Sequence, residues 1–339
     1  MRKSFSPTSH CMSSSFPMRQ HNSIYRLSGR LRRLLWPPGG RHEARLPHHR
    51  RGDQKTVFMK KPRYRHAGNS ALLMELGDEP SLELSLHVIA LGQHILQQAD
   101  SRFFGYGTCA TSILIEYDPH AITSSKVIEC CDGWIDSLPP VDQLKIPSRL
   151  IEIPVCYNDR WTRECAEEYS RTVTRIPPDF EFLVEANGCA NAGDLIQRHS
   201  SRLWWVAGVD FPGSPFLKQL GTQNRFTAPR YKTPRMRTPK GTVVLGDIFT
   251  MIYPTTTPDG HRMLGRTPVS FYDPDIYSNA DFDHSLTLLR TGDRVRFRSI
   301  NEDEFLAIEA SVAAKTYQCA ISDEREATTA EFRSGFANA

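Results

Sequence analysis

The sequence predicts an α+β protein in which an N-terminal α/β part precedes a β-rich part. Between residues 63 and 155, short apolar runs typical of strands alternate with segments whose apolar residues recur at helical spacing. After Trp204 the helical spacing gives way to short β-type runs, separated by Pro and Gly at the intervals expected of a barrel. The length of 339 residues suits about two domains.

The N-terminal part is predicted from runs that end at turn-forming pairs. An apolar run followed by Gly77-Asp78 indicates a strand, and a later run ends in the same way at Asp118-Pro119. This alternation is typical of a small α/β sandwich. The predicted strands are 71–76, 112–117 and 151–155, and the predicted helices are 81–98 and 123–138.

The C-terminal part is predicted to be mainly β-structure after an interrupted helical stretch at 160–200. Its β-type runs are 204–207, 242–245, 249–253, 269–272 and 294–297. Beyond about residue 305 we expect a strand or helix to residue 314 and then a loosely held tail.

Residues 1–58 differ in composition from the rest of the chain. Over 1–51 they contain eleven Arg and Lys residues and a single acid, Glu43, without periodic apolar positions. Such a segment cannot bury enough surface to fold. We expect a disordered basic leader, and two interpretations stay open: a transit peptide, or a start of the protein at Met59.

Composition argues against several classes of function. No segment has the roughly 18 unbroken apolar residues of a membrane span, and outside the leader the chain is net acidic, so neither a membrane nor a nucleic acid is an expected partner. The eight cysteines show no zinc-binding spacing, so no metal is predicted and a reducing, cytoplasmic location is expected. Neither phosphate-binding loop motif is present.

The stretch 199–268 carries the most information about function. Pro-Arg occurs twice, at Arg230 and Arg235, and Arg237 and Arg266 also lie in proline-rich sequence. Guanidinium groups on a stiff backbone suit the capture of carboxylates or phosphates, although such arginines can equally be solvated or paired with local acids. We therefore expect the four arginines to share one cavity on the barrel.

Several ordered motifs of this chain resemble the KipI-like family, which includes the B subunit of 5-oxoprolinase, allophanate hydrolase subunit 1 and carboxyltransferase subdomains C and D. The family reads close to GFxPGFPYLGGL, PR…PR…VPxGSVGIAG.QTGIYP and SPGGWxxIGRTP. The counterparts here are GVDFPGSPFLKQL, PRYKTPRMRTPKGTVVLGDIFTMIYP and TPDGHRMLGRTP, with RHAGNSALLMELGD, ILIEYDP, IEIPVCYND and LLRTGDRVRF around them. The resemblance covers about 63–310.

The resemblance implies a ferredoxin-like α/β domain at 59–148 and a cyclophilin-like carboxyltransferase β-barrel at 149–310, with a tail at 311–339. It also implies a component of an ATP-dependent amidohydrolase that opens a lactam such as 5-oxoproline together with a KipA-like partner. ATP would then be used by the complex, because this chain has no nucleotide motif of its own.

The resemblance also implies candidate site residues. His199 matches a family histidine before the PGFP-like turn, and a structural hydrogen-bonding role is its alternative. Arg235 and Tyr253 match the second Pro-Arg and the GIYP tyrosine; with His199 they are the expected catalytic residues. The expected substrate-binding residues are Phe211, Pro212, Pro215, Arg230, Gly241, Arg266 and Thr267. Tyr253 could equally be a barrel residue with a satisfied hydroxyl, and Arg266 could brace the turn at Pro268.

The chain departs from the family pattern at the motifs expected to form the pocket. Phe249 replaces a Gln, so a hydrogen-bonding side chain is lost, and Met251, Asp259 and His261 replace a Gly, a Gly and a Trp. Two alternatives to the 5-oxoprolinase hypothesis therefore stay open. One is the carboxyltransferase component of a urea carboxylase system, which would need its biotin modules elsewhere, and the other is a non-catalytic regulatory binding protein.

Overall fold

The computed structural model describes residues 61–210, 212–221, 225–275, 280–282 and 285–336. The strands are β1 Arg63–His66, β2 Ala71–Glu75, β3 Phe103–Cys109, β4 Ser112–Tyr117, β5 Lys145–Ser148, β6 Leu150–Tyr157, β7 Leu203–Asp210, β8 Ser214–Gln219, β9 Arg235–Thr238, β10 Thr242–Gly246, β11 Phe249–Ile252, β12 Thr257–Asp259, β13 Arg262–Arg266, β14 Arg294–Ile300, β15 Ala320–Ile321 and β16 Arg325–Thr328. The α-helices are α1 Leu82–Gln98, α2 Ser124–Ser137, α3 Arg160–Thr172, α4 Asp179–Ala186, α5 Ala192–Ser200, α6 Glu302–Ala313 and α7 Thr329–Ser334.

The N-terminal part is a four-stranded antiparallel sheet in the order β1-β2-β4-β3, covered by α1 and α2. Ser81 and Thr123 cap the two helices through their side-chain oxygens, which explains why the predicted helix starts are confirmed. The ferredoxin-like part of the prediction is not confirmed. In a ferredoxin-like sheet, the strand that follows α2 would pair with β2. Here that strand is β5, which pairs with β16, and β1 lies beside β2 instead.

The β-rich part is a closed barrel of seven strands in the order β13-β10-β11-β8-β7-β14-β6. The barrel closes because β13 also pairs with the C-terminal end of β6, and β15 pairs with the N-terminal half of β6. Alternate residues of its strands point inward to a common core, as Ile151, Ile153 and Val155 do on β6. The predicted barrel is therefore confirmed, in agreement with a cyclophilin-like architecture.

The C-terminal segment is part of the fold, which corrects the expectation of a loosely held tail. Phe332 of α7 is fully buried and Phe336 is nearly so, and both pack with Trp205 of the barrel and Leu86 of α1. Strand β16 meanwhile pairs with β5. This segment therefore packs against both parts of the chain, whereas the predicted leader at 1–58 lies outside the described residues.

Among the helices that the structure describes, none is both long and apolar enough to cross a membrane.

Candidate functional site

The barrel wall at β11 separates two groups of polar side chains. Thr250 and Ile252 point into the barrel, whereas Met251 and Tyr253 pack on its outside with Val244 and Met263. The separation follows from the two-residue period of a strand. The three residues expected to be catalytic are therefore divided, because His199 lies inside the wall and Tyr253 lies outside it.

His199 lies at the end of α5 and is fully buried in the barrel core. The Tyr157 hydroxyl lies 2.8 Å from its Nδ1, and the Thr250 hydroxyl lies 3.2 Å from its Nε2. Phe297 stacks against its ring and Trp204 packs on it at a tilt of 39°, with centroids 4.7 Å away in both cases. Burial, and to a lesser degree Arg202, lowers the pKa of His199 to about 3, so the ring is neutral. This environment favours the structural alternative over a catalytic role.

Outside the wall, the Asp179 carboxylate is the centre of a buried network. Asp179 begins α4, and its carboxylate accepts hydrogen bonds from the Tyr231 hydroxyl, from Arg262 Nη1 at 3.0 Å and from the Met263 backbone N–H at 3.0 Å. The guanidinium carbons of Arg235 and Arg262 lie 4.8 and 4.4 Å from the centroid of the Tyr231 ring. The two cations thus share one aromatic ring and one carboxylate.

A second carboxylate, Asp259, connects Arg235 with Tyr253. It accepts hydrogen bonds from Arg235 Nη2 at 3.0 Å and from the His261 backbone N–H at 2.8 Å, and its other oxygen lies 2.6 Å from His261 Nδ1. The Tyr253 hydroxyl lies 2.8 Å from the same Nδ1. Burial alone would raise the pKa of Asp259, but hydrogen bonds from His261 and Tyr253 and the charge of Arg235 outweigh it and lower the pKa to about 2. Burial raises the pKa of Tyr253, so its hydroxyl is protonated.

Two local features of the chain build this network, which we call the outer cluster: Asp179, Tyr231, Arg235, Tyr253, Asp259, His261 and Arg262. Strand β9 pairs with β12, and this register places Arg235 opposite Asp259. Gly246 leaves the space that the His261 ring occupies, because a Cβ there would lie 1.7 Å from His261 Cδ2. Asp259 and His261, which both replace residues of the family motif, are hydrogen-bonded to each other.

A cavity of about 180 Å³ lies between α3 and α4. Asp179 and Met263 contribute to its wall, together with Thr162, Arg163 and Glu167 of α3. The Asp179 carboxylate links this cavity to the outer cluster. Among the described residues, no group of His, Cys, Asp or Glu side chains is arranged to hold a metal ion.

The four arginines of the proline-rich motifs have four different environments, so the expectation of one shared cavity is wrong. Arg235 is buried in the outer cluster, whereas Arg230 is exposed and lies 3.2 Å from Asp247. Arg266 donates to the Lys240 carbonyl and packs on Trp161 and Phe305, and burial lowers its pKa. Arg237 is exposed. A backbone stiffened by proline fixes where each side chain begins, but it does not make the side chains converge.

The other expected substrate-binding residues lie mainly at one end of the barrel. Gly241 donates to the Tyr253 carbonyl at 2.7 Å and accepts from the Thr267 N–H at 2.9 Å. A Cβ at Gly241 would lie 2.2 Å from the Thr267 carbonyl oxygen, and its φ of +79° favours glycine. Pro215 is buried at the start of β8 and Pro212 is partly buried in the preceding turn. Phe211 lies outside the described residues.

Sequence reasoning did not identify Asp179, Tyr231 and Arg262 as part of this site, and it treated Asp259 and His261 only as departures from the family. Asp179 follows Pro177-Pro178 at a helix start, where a carboxylate is favourable in any protein. One signal was available in the sequence: Asp259 and His261, two residues apart and next to Arg262, both replace family residues.

Comparisons with known proteins agree with this architecture. The B subunit of 5-oxoprolinase from Bacillus subtilis is 28% identical over 249 residues, which are 71% of this chain and 93% of that protein. A urea amidolyase from Saccharomyces cerevisiae is 24% identical over 210 residues, which are 60% of this chain but 11% of that protein. The structure of the K. lactis urea amidolyase matches with a TM-score of 0.69 at 21% identity, covering 82% of this chain and 17% of that chain.

The match therefore spans only a small part of the urea amidolyases, and the likeness to the solved structure shows the fold alone. The family described as carboxyltransferase domain, subdomain C and D, matches residues 62–280, which is more than half of the chain. The motifs and the closed barrel agree with that match. The chain belongs to the carboxyltransferase subdomain C and D family, whose members include the B subunit of 5-oxoprolinase.

Proposed function

We propose that the chain is the counterpart of the 5-oxoprolinase B subunit in an ATP-dependent enzyme that opens a cyclic amide of the 5-oxoproline kind, together with a KipA-like subunit. The extent of the match carries this proposal. The chain aligns with 93% of the B. subtilis protein, but with 11% of the S. cerevisiae urea amidolyase. Nearly the whole of a separate subunit thus has its counterpart in this chain.

Within this proposal, Arg235 and Tyr253 are the groups that act on the substrate. Negative charge develops on the amide oxygen when a lactam ring opens, and a fixed guanidinium or hydroxyl group stabilises it. Asp259 contacts Arg235 and His261, and His261 contacts Tyr253, so the positions of both groups are fixed before substrate binds. His199 has no part in this chemistry because it is enclosed in the barrel core.

The same proposal requires the partner subunit. Arg235 is 2% exposed and Tyr253 is 8% exposed, so substrate cannot reach either group in the isolated chain. We propose that binding of the KipA-like subunit opens the cluster from the side of the cavity between α3 and α4. ATP would be bound and hydrolysed by the assembled complex, in the cytoplasm.

The test is to co-express the full chain with the KipA-like chain of the same genome and to measure the loss of 5-oxoproline, with and without ATP. We expect glutamate to form only with both chains and ATP. If the co-purified pair consumes no 5-oxoproline while ATP is present, the proposal is wrong.

A matched pair of variants tests the site. Tyr253→Phe and Tyr157→Phe each remove one buried hydroxyl, on opposite sides of the barrel wall. We expect Tyr253→Phe to lower kcat by about 100-fold, the loss typical of one donor to a developing oxyanion. Tyr157→Phe should keep kcat while lowering Tm. Equal activity of the two variants would contradict the assignment.

The second candidate is a regulatory binding protein that has lost catalysis, and the side chain of Phe249 favours it. This ring packs edge-on against Phe216, with centroids 5.7 Å apart, and lies 5.7 Å from Lys218 Nζ. It makes no hydrogen bond, unlike the Gln of the family motif. If Phe249→Gln in the complex yields no 5-oxoproline, urea or bicarbonate turnover, this candidate is favoured over both enzymatic ones, including a urea carboxylase component.

A further inference from the structure

The segment from Arg230 to Lys240 contains five cations and no acid. Two of the cations are neutralised within the protein, because Arg235 turns inward to Asp259 and Arg230 pairs with Asp247. The remaining cations and one apolar residue are exposed, and we call them the basic strip: Lys232, Met236, Arg237 and Lys240.

Met236 is the most exposed large apolar side chain of the described residues. It is 82% exposed, whereas the others, including Phe104 and Leu306, are between 40% and 50% exposed. A single exposed apolar residue needs no explanation by itself. Its place among cations that have no ion-pair partner within the described residues is the feature that requires an explanation.

Within the described part of the chain, no carboxylate lies at ion-pair distance from Lys232, Arg237 or Lys240. Some exposed arginines elsewhere do have such partners: Arg102 lies 2.7 Å from Asp100, and Arg298 lies 2.7 Å from Glu304. Others, such as Arg171 and Arg296, have no ion pair within the described residues, so it is the grouping of three such cations around Met236 that distinguishes the strip. The basic strip therefore has positive charge that no carboxylate of the described structure neutralises.

The backbone of the basic strip is held in one shape. The Tyr169 hydroxyl of α3 donates to the Thr233 carbonyl at 2.5 Å, and the Cys165 thiol donates to the Arg237 carbonyl at 3.2 Å. Arg235 fixes the centre of the segment through its contacts inside the outer cluster. A surface ordered in advance loses little conformational freedom on binding, which favours its use for recognition.

We propose that the basic strip is the docking surface for an acidic face of the partner subunit, with Met236 inserted in an apolar recess at its centre. Met and Arg are enriched at protein interfaces, and a cationic rim speeds association with an acidic surface. An exposed methionine contributes nothing to contacts with phosphates, which favours a protein over a nucleic acid. The identity of this partner rests on the function proposed above.

The experiment uses titration calorimetry to measure how tightly the full chain binds the KipA-like subunit, at low and at physiological salt. Two variants alter the strip, Met236→Asp and Arg237→Glu. Leu306→Asp is the control, because it adds the same charge at an exposed apolar site on α6. We expect each strip variant to weaken binding by about tenfold or more, and the control to bind like the wild type. The wild-type affinity should fall as salt rises.

Each other outcome rejects a specific part of the proposal. If the wild type and both strip variants bind the subunit equally, the basic strip is not the docking surface, although the proposed function survives. If the wild type does not bind this subunit at all, the proposed function fails together with the docking proposal. If a DNA duplex binds at physiological salt and Arg237→Glu abolishes that binding, the strip recognises nucleic acid and the protein partner is wrong.

Discussion

His199 and His261 are both more than nine-tenths buried, yet they lie on opposite sides of the barrel wall in contrasting surroundings. His199 is enclosed by aromatic rings and contacts two neutral hydroxyl groups. His261 contacts a carboxylate, and an arginine lies beside it. The groups that His199 contacts are therefore neutral, whereas those of the outer cluster are paired charges.

The two surroundings differ in whether they contain polar atoms that could bind a substrate. A neutral imidazole with both nitrogens in contact with hydroxyls contributes stability and specificity to the core, but it has no site for a substrate. In the outer cluster, by contrast, Arg235 Nη1, His261 Nε2 and Arg262 Nε are buried within the described structure and make no hydrogen bond there. Substitutions in the outer cluster and protonation of His199 test this contrast between the two sides of the wall.

The largest effect is expected from Asp179→Asn. Removing this charge leaves Arg262 and Arg235 buried beside a neutral amide, so the free energy of unfolding should fall by about 3–5 kcal/mol. Urea unfolding at pH 7 measures it. Glu181→Gln is the control, because it removes an exposed charge from the same helix turn. Equal losses in the two variants would show that the charges of the outer cluster are not coupled.

Gly246→Ala should come second, because its Cβ would lie 1.7 Å from His261 Cδ2. Displacing the ring breaks its contacts with Asp259 and Tyr253, and we expect a loss of about 3 kcal/mol in unfolding free energy. Gly133→Ala in α2 is the control: nothing lies within 4 Å of the added methyl, so it should stabilise the helix by about 0.5–1 kcal/mol. A Tm for Gly246→Ala at or above the wild-type value would contradict the packing of His261.

Protonation tests the interior side of the wall. The pKa of His199 is about 3 in the folded protein and 6.5 in the unfolded chain, so below pH 6.5 the unfolded state binds a proton that the folded state does not. Stability from this group is therefore complete above pH 6.5 and is lost as the pH falls toward 3. Between pH 7 and pH 5 it should decrease by about 2 kcal/mol.

The measurement compares this decrease in the wild type and in His199→Gln, whose side chain does not titrate. The variant should lose about 2 kcal/mol less over the same range. Because only the difference in slope is used, a general destabilisation of the variant does not affect the result. Parallel pH profiles would mean that His199 is not enclosed as described.

The smallest effect is expected from Arg230→Gln. The pair with Asp247 is exposed, with 42% and 54% of the two side chains accessible, so its loss should cost less than about 1 kcal/mol. A double-mutant cycle with Asp247→Asn measures the pair itself. A coupling energy comparable to that of the buried charges would place Arg230 with the outer cluster rather than on the surface.

The fold class, the helices α1 and α2 and the β-rich C-terminal part could all be predicted from the amino-acid sequence. Local periodicity and side-chain caps act over a few residues, so these features can be read directly. The motifs likewise indicated the family and drew attention to Arg235 and Tyr253. They also marked positions 259 and 261 as unusual, although not that the two side chains contact each other.

The side of the barrel wall on which each polar residue lies could not be predicted from the sequence, because it depends on how the whole chain packs. Asp179 meets Arg235 and Arg262 because α4 packs against β13, and His199 meets Thr250 because the barrel closes around both. Such contacts join residues far apart in the chain, and burial and charge pairing there depend on the closed arrangement as a whole. The same reason explains why the proline-rich arginines, alike in sequence, lie in four different environments.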